Sequence, residues 1–305
     1  VTGAMARRAL GRSLPWIPGF SQLKGIVHFG LGNLLTALLK AADNALPDIL
    51  LGRWMTPTAV GLFSRANSTV NMVSTALLPT VNYFALPYMA KVHHANGPVA
   101  GEYLRATSLI NSLILPALAT IAVLAHDIVS LLYGSTWLQA APAIPWLCLA
   151  YAVSSLFTLS TPALTGVGKP YASIGPTAFL VFVKIAFAWW LMDGTLRTFA
   201  VAIALGQLLS APAMVLMLYR HLVLPVLAWL KNTLSVFALA ASIGTLCWII
   251  RILLPDGWPS ILTIAVTGSA AVIAFVFVSR ALSLPISHEL QRLFKQLHKK
   301  PSPPM

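Results

Sequence analysis

Polar and apolar positions alternate along this chain in long blocks rather than in short periods. Predominantly apolar blocks cover about 26–51, 59–88, 103–125, 139–162, 171–192, 197–219, 232–254 and 260–280. A helix needs about 20 such residues to cross a hydrocarbon core about 30 Å thick, so each block predicts one membrane-spanning helix. The expected fold is all-α, a polytopic membrane helix bundle of about eight transmembrane helices. Pro79 and Pro87 are expected to kink the second, longest block or to end it early. Pro47, Pro116, Pro145, Pro176 and Pro212 also fall within blocks, which is tolerable where neighbouring helices satisfy the freed carbonyls.

Composition supports the bilayer as solvent. Of 305 residues, 58% are apolar and 9% charged, with a mean hydropathy of +0.81. Soluble domains carry about 25% charged residues, and seven Asp plus Glu cannot solubilise a surface this apolar. An ordinary soluble enzyme is excluded, and so is a disordered chain, which would be poor in apolar residues. The net charge of +13 does not point to nucleic acid, because the basic residues lie mostly in short segments between the blocks. That is the pattern of cytoplasmic loops.

With the N-terminus inside, the cytoplasmic segments hold Arg7, Arg8, Arg12, Lys24, Lys91, Arg105, Lys169, Arg220, Lys231, Arg280, Arg292, Lys295, Lys299 and Lys300. The outer segments hold Arg53, Arg197 and Arg251. Both termini are therefore expected in the cytoplasm. The first 24 residues do not read as a signal peptide, since basic residues run through to Lys24 without a clean apolar core. Residues 10–20 are expected either to lie on the inner leaflet or to form a plain loop. From about Ser283, Leu290, Leu293, Phe294 and Leu297 recur at helical spacing beside Arg292, Lys295 and Lys299. They predict a short basic amphipathic helix on anionic headgroups.

No catalytic constellation is visible. Phosphate-binding Gly loops, HExxH and GxSxG are absent, and the outer loops are short except at about 126–138. The chain reads as no enzyme, with no cofactor and no metal site. Cys148 and Cys247 sit inside apolar blocks as small buried side chains. His93 and His94 read as loop residues, Glu102 and Arg105 as a surface pair, and His126 and Asp127 as a solvated helix cap.

The charges inside the blocks are more informative. Lys40 and Lys184 fall near the membrane midplane, and Arg65 one to two turns inside the outer end. Asp43 and Asn44 follow Lys40 on the same helix face. In one arrangement Lys40 pairs with Asp43 while Lys184 and Arg65 snorkel or bind carbonyls. In the other, these cations line a wet, positively charged cavity suited to a phosphate or pyrophosphate. Small residues at Gly30, Gly32, Asn33, Ser64, Ala66, Asn67 and Ser68 allow close helix approach.

Certain segments carry more than composition. Asp48-Ile-Leu-Leu-Gly-Arg53 followed by Val60-Gly-Leu-Phe-Ser-Arg-Ala66 resembles a segment of the bacterial polysaccharide flippases. These are the Wzx-type exporters of the MOP superfamily, which also holds the MATE antiporters and the lipid II flippases. Leu86-Pro87, Tyr103-Leu-Arg105, Leu115-Pro116, Leu131-Leu-Tyr-Gly134 with Trp137, and Gly166-Val-Gly-Lys-Pro170 follow in the same order. The likeness covers about residues 21–220.

The resemblance implies a six-helix C-terminal lobe at 26–219. A basic cytoplasmic or interfacial segment would precede it at 1–25, two additional helices would occupy 220–281, and a basic tail 282–305. Such proteins have two six-helix lobes, so the N-terminal lobe is expected to be missing and replaced by a second copy or a separate partner. The implied function is translocation of undecaprenyl-pyrophosphate-linked oligosaccharide across the bacterial inner membrane, for exopolysaccharide or lipopolysaccharide synthesis. Lys40, Arg65 and Lys184 would bind the pyrophosphate, Asp43 and Asp48 would tune charge or couple a proton, and Asn44, Asn67 and Asn71 would face the sugars. The rival readings are a MATE-like ion-coupled antiporter, a membrane enzyme of envelope polysaccharide synthesis, and a non-functional gene remnant.

Overall fold

A computed structural model describes residues 23–191, 193–255 and 257–281. The first 22 residues and the amphipathic helix expected in the basic tail lie outside the described residues.

The helices in chain order are α1 Leu23–Trp54, α2 Pro57–His94, α3 Val99–Val123, α4 Ala125–Tyr133, α5 Ile144–Ser155, α6 Ser160–Gly166, α7 Ile174–Trp190, α8 Leu196–Leu222, α9 Val226–Leu253 and α10 Ser260–Ala281. Short 3-10 segments, Ser135–Ala143 and Pro170–Ser173, precede α5 and α7. No strand occurs among the described residues. The all-α polytopic bundle is therefore the fold.

Among the described residues, seven helical segments are long and apolar enough to cross a membrane. The eighth expected span, α2, is a helix of 38 residues that falls short on composition. Its sequence is diluted by Arg65, Asn67, Asn71, Asn82 and several hydroxyls. It begins sharply, with Thr56 Oγ1 accepting the Ala59 N–H at 3.3 Å and Pro57 in the first turn. Neither Pro79 nor Pro87 ends it. The helix continues to His94, because a proline removes one backbone donor without forbidding helical φ downstream.

The fourth block is not one continuous helix. It is divided into the 3-10 segment, α5 and α6, with turns at 156–159. The long outer loop expected at 126–138 is instead ordered as α4 and part of that 3-10 segment. Asp127 is not a solvated cap: it is buried, and its Oδ2 accepts from Arg251 Nε at 3.0 Å. This pair ties α9 to α4. Along α9, Thr120 Oγ1 lies 3.9 Å from Cys247 Sγ, and Gly244 leaves room for Ala119. The two C-terminal helices thus pack on the rest of the bundle through α3 and α4.

Two buried clusters hold the bundle. One centres on Phe63, Val70, Ile114, Leu118, Leu147 and Phe199, with Phe63 and Phe199 edge to face at 5.5 Å. The other gathers Tyr103, Val153, Leu156, Leu164, Leu218 and Trp229. The lateral surface is also apolar, with Phe182, Trp189 and Leu227 largely exposed. Only lipid would leave such side chains stable there.

Contacts among helix ends show which termini share one face of the bundle. Tyr171 Oη donates to the His28 carbonyl at 2.6 Å, and Lys169 Nζ donates to the His221 carbonyl at 3.1 Å. Tyr88 Oη donates to Glu102 Oε2 at 2.7 Å. The end so defined carries Lys91, Arg105, Lys169, Arg220 and Lys231, so the charge asymmetry along the chain becomes a basic pole.

Candidate substrate cavity

Two adjoining hollows of about 530 and 440 Å³ open between α1, α2, α5, α6, α7 and α8. They meet at Asp43, Asn44, Ser154, Thr158 and Gln207, which line both. Each is within the roughly 300–1,000 Å³ of small-molecule sites. Hydrogen-bonding side chains dominate: Asn33, Lys40, Asn82, Thr161 and Thr165 in the first, Asn67, Asn71, Tyr151 and Lys184 in the second.

Helical periodicity explains which residues reach the cavity. On α1, Asn33, Lys40, Asp43, Asn44 and Pro47 share one face, while the opposite face shows Leu34, Leu38 and Ile49 outward. On α2, Phe63, Asn67, Asn71, Ser74 and Leu78 recur at three- and four-residue steps.

The wall formed by α5 and α6 is discontinuous, and the break is where Ser154, Thr158, Ser160 and Thr161 enter the lining. Its backbone is satisfied locally. Tyr103 Oη donates to the Leu156 carbonyl at 3.1 Å, and Ser160 Oγ to the Phe157 carbonyl at 2.6 Å. Irregular backbone at membrane depth is stable where it lines a cavity and its carbonyls find donors.

Lys184 Nζ meets Asp43 Oδ1 at 2.7 Å, with Lys184 buried and Asp43 partly so. Asp43 therefore pairs across helices rather than with Lys40 on its own. Behind Lys184, a Cβ at Gly206 would lie 2.8 Å from Lys184 Cγ and 3.0 Å from its Cα. The glycine lets α7 and α8 touch at that point. Lys40 has no hydrogen bond or ion pair among the described residues. Since Lys40, Asp43 and Lys184 are the charged lining residues, the cavity keeps one uncompensated positive charge.

The other expected site residues lie elsewhere. Arg65 is exposed on the far side of α2 from the cavity face, its guanidinium 5.4 Å from the Tyr133 ring centroid and 5.1 Å from that of Trp137. Asp48 is exposed on α1 and lines neither hollow. Asn44 lines both hollows; Asn67 and Asn71 line the second, where Tyr151 Oη donates to Asn67 Oδ1 at 2.9 Å. Sequence reasoning missed Gln207, Ser154 and Thr158. Gln207 is a lone amide in an apolar block, and Ser154 and Thr158 belong to a run of small hydroxyl residues at 154–161; the direction each faces was unknown.

The recurring segments also acquire physical roles. Arg65 joins the Val60–Ala66 segment to Tyr133 of the Leu131–Gly134 segment and to Trp137. Gly166 lets α6 press on α2, where a Cβ would lie 3.0 Å from the Ala90 nitrogen. Gly168 takes a φ of +78°, open to glycine without strain, and the Pro170 carbonyl accepts from Thr36 Oγ1 at 3.2 Å.

Comparison with known proteins agrees with this arrangement. Residues 10–142 match the family described as polysaccharide biosynthesis protein. Over 238 residues the chain is 21% identical to the teichuronic acid biosynthesis protein TuaB of Bacillus subtilis (strain 168), which covers 76% of this chain and 49% of TuaB. The lipid II flippase MurJ, in an inward closed conformation, superposes with a TM-score of 0.54 at 10% identity, covering 92% of this chain and 59% of MurJ. Over residues 10–142 the chain is thus similar to polysaccharide biosynthesis proteins, and its fold is similar to that of a lipid II flippase. The chain spans about half the length of the curated relative it matches.

Proposed function

We propose that the cavity receives the charged and sugar-bearing head of a lipid-linked oligosaccharide and carries it across the membrane, while the lipid tail stays in the bilayer. The observation that carries this reading is Lys40, a cation without a partner in a hydrophilic cavity otherwise balanced by the Lys184–Asp43 pair. The Lys40 ammonium is open to the cavity and has no counter-ion among the described residues, so a phosphate or diphosphate held there would gain charge-assisted hydrogen bonds. Asn44, Asn67, Asn71 and Gln207 supply the donors and acceptors that sugar hydroxyls need. An undecaprenyl-pyrophosphate carrier fits this chemistry.

Translocation suits the site better than glycosyl transfer. The cavity holds a single carboxylate, Asp43, already engaged by Lys184, and acid–base catalysis on a glycosidic bond ordinarily uses two. Movement of the head past the cavity calls for a facing lobe to rock against, and TuaB is about twice as long as the stretch matched here. The facing lobe is proposed to be a second copy or a separate N-terminal lobe. The positive-inside rule assigns the basic pole to the cytoplasm.

The test is made in cells lacking the gene, with wild type, Lys40→Gln or Lys40→Arg restored at matched protein level. Lipid-linked oligosaccharide on the cytoplasmic leaflet is measured. Wild type and Lys40→Arg should clear it, and Lys40→Gln should leave it accumulated. Clearance by Lys40→Gln at the wild-type rate would remove Lys40 from the site. Accumulation that wild type fails to reverse would overturn translocation by this chain on its own.

A further inference from the structure

Away from the cavity, two shallow grooves flank α8 on the lateral surface. One, of about 260 Å³, lies between α7 and α8, walled by Gly175, Pro176, Phe179 and Leu216, with Arg220 and His221 at its rim. The other, of about 480 Å³, lies between α8 and α9, walled by Leu208, Val215, Leu216, Tyr219 and Trp229. Leu216 lines both, so its half-exposed side chain is the ridge between them. Along α8 the lining runs from Leu208 to His221, about 20 Å of helix at about 1.5 Å per residue.

Charge is confined to one end of this surface. Arg220 is exposed and makes no hydrogen bond or ion pair among the described residues. Lys169 is held beside it by its bond to the His221 carbonyl. Lys231, also exposed, lies one turn into α9 at the same end of the bundle. Neither groove has an Asp or Glu in its lining. The surface is thus two parallel apolar grooves that open to the bilayer below a cluster of cations, at the basic pole of the bundle.

We propose that this surface binds one anionic diacyl phospholipid, its phosphate against Arg220 and its two acyl chains on either side of Leu216. Basic pockets between membrane helices recognise anionic headgroups in this way. The paired grooves select a two-chain lipid, since a single isoprenyl chain would fill one and leave the other open. The site is separate from the cavity: the two grooves share no lining residue with it.

The experiment uses the full chain purified in detergent and titrated with dioleoylphosphatidylglycerol or dioleoylphosphatidylcholine, with bound lipid counted by native mass spectrometry. The anionic lipid should be retained about five-fold better, the weight of one cation against an anionic headgroup. Arg220→Ala should erase that preference, and Arg220→Lys should keep most of it. Leu216→Trp, which fills the space on both sides of the ridge, should weaken retention of both lipids. Equal retention of the two lipids by wild type, or an undiminished preference in Arg220→Ala, overturns the proposal. Displacement of phosphatidylglycerol by a short isoprenyl diphosphate, lost in Arg220→Ala, would give the grooves to the transported lipid and overturn it as well.

Discussion

Lys184 and Asp43 meet at 2.7 Å although 141 residues separate them, and their ion pair joins α1 to α7 at the point where the two hollows of the cavity meet. Removing one partner leaves the other, largely buried, without its counter-ion. Asp43→Ala should therefore lower stability by about 3 kcal/mol, because Lys184 stays largely buried and loses its counter-ion. Replacing both, as Asp43→Leu with Lys184→Met, should recover most of that loss. Thermal unfolding of the detergent-solubilised variants measures this, and a double variant no more stable than Asp43→Ala would contradict the pairing.

Tyr103 is fully buried, and its hydroxyl donates to the Leu156 carbonyl at the interruption between α5 and α6. Tyr103→Phe keeps the ring and deletes the donor, leaving a carbonyl at membrane depth without its partner. A loss of about 1–2 kcal/mol is expected. Hydrogen exchange should rise at 156–160 and stay unchanged in α10. Unaltered exchange at the interruption would show that another donor replaces the phenol.

Gly206 packs against the backbone of Lys184. Gly206→Ala places a methyl where backbone atoms cannot easily withdraw, so it should destabilise by about 1–3 kcal/mol and reduce translocation by shifting Lys184. Gly268 is the matched control, with nothing within 4 Å of an added Cβ. Gly268→Ala should be neutral or stabilise by about 0.5–1 kcal/mol through helix propensity. Equal effects at the two positions would refute the close contact.

Arg65 rests over two aromatic rings away from the cavity. Arg65→Ala should cost about 0.5–1 kcal/mol of stability, the worth of an exposed cation–π contact. Lys in its place should recover part of this, since an ammonium cannot stack as a planar guanidinium does. Translocation per folded molecule should persist in both. If it fails in a stably folded Arg65→Ala, the head of the substrate passes by Arg65 as well.

Seven of the eight expected spans, the all-α class and the charge asymmetry were legible in the sequence, because crossing a bilayer depends on composition summed over about 20 neighbouring residues. That sum also located Lys40, Asp43 and Lys184 at depth. It was silent on partners. Asp43 has Lys40 three residues away on its own helix, yet pairs with Lys184, since the choice depends on how α1 and α7 are rotated toward each other. The same limit hid the break after α5, whose carbonyl at Leu156 is held by a tyrosine 53 residues distant. It also hid Arg65's departure to Tyr133 and Trp137, and the inward facing of Gln207, Ser154 and Thr158. Local composition determined which segments enter the membrane; helix packing decided which of their few polar groups face one another there, because an isolated polar residue in an apolar block acquires a direction only when a neighbouring helix supplies one.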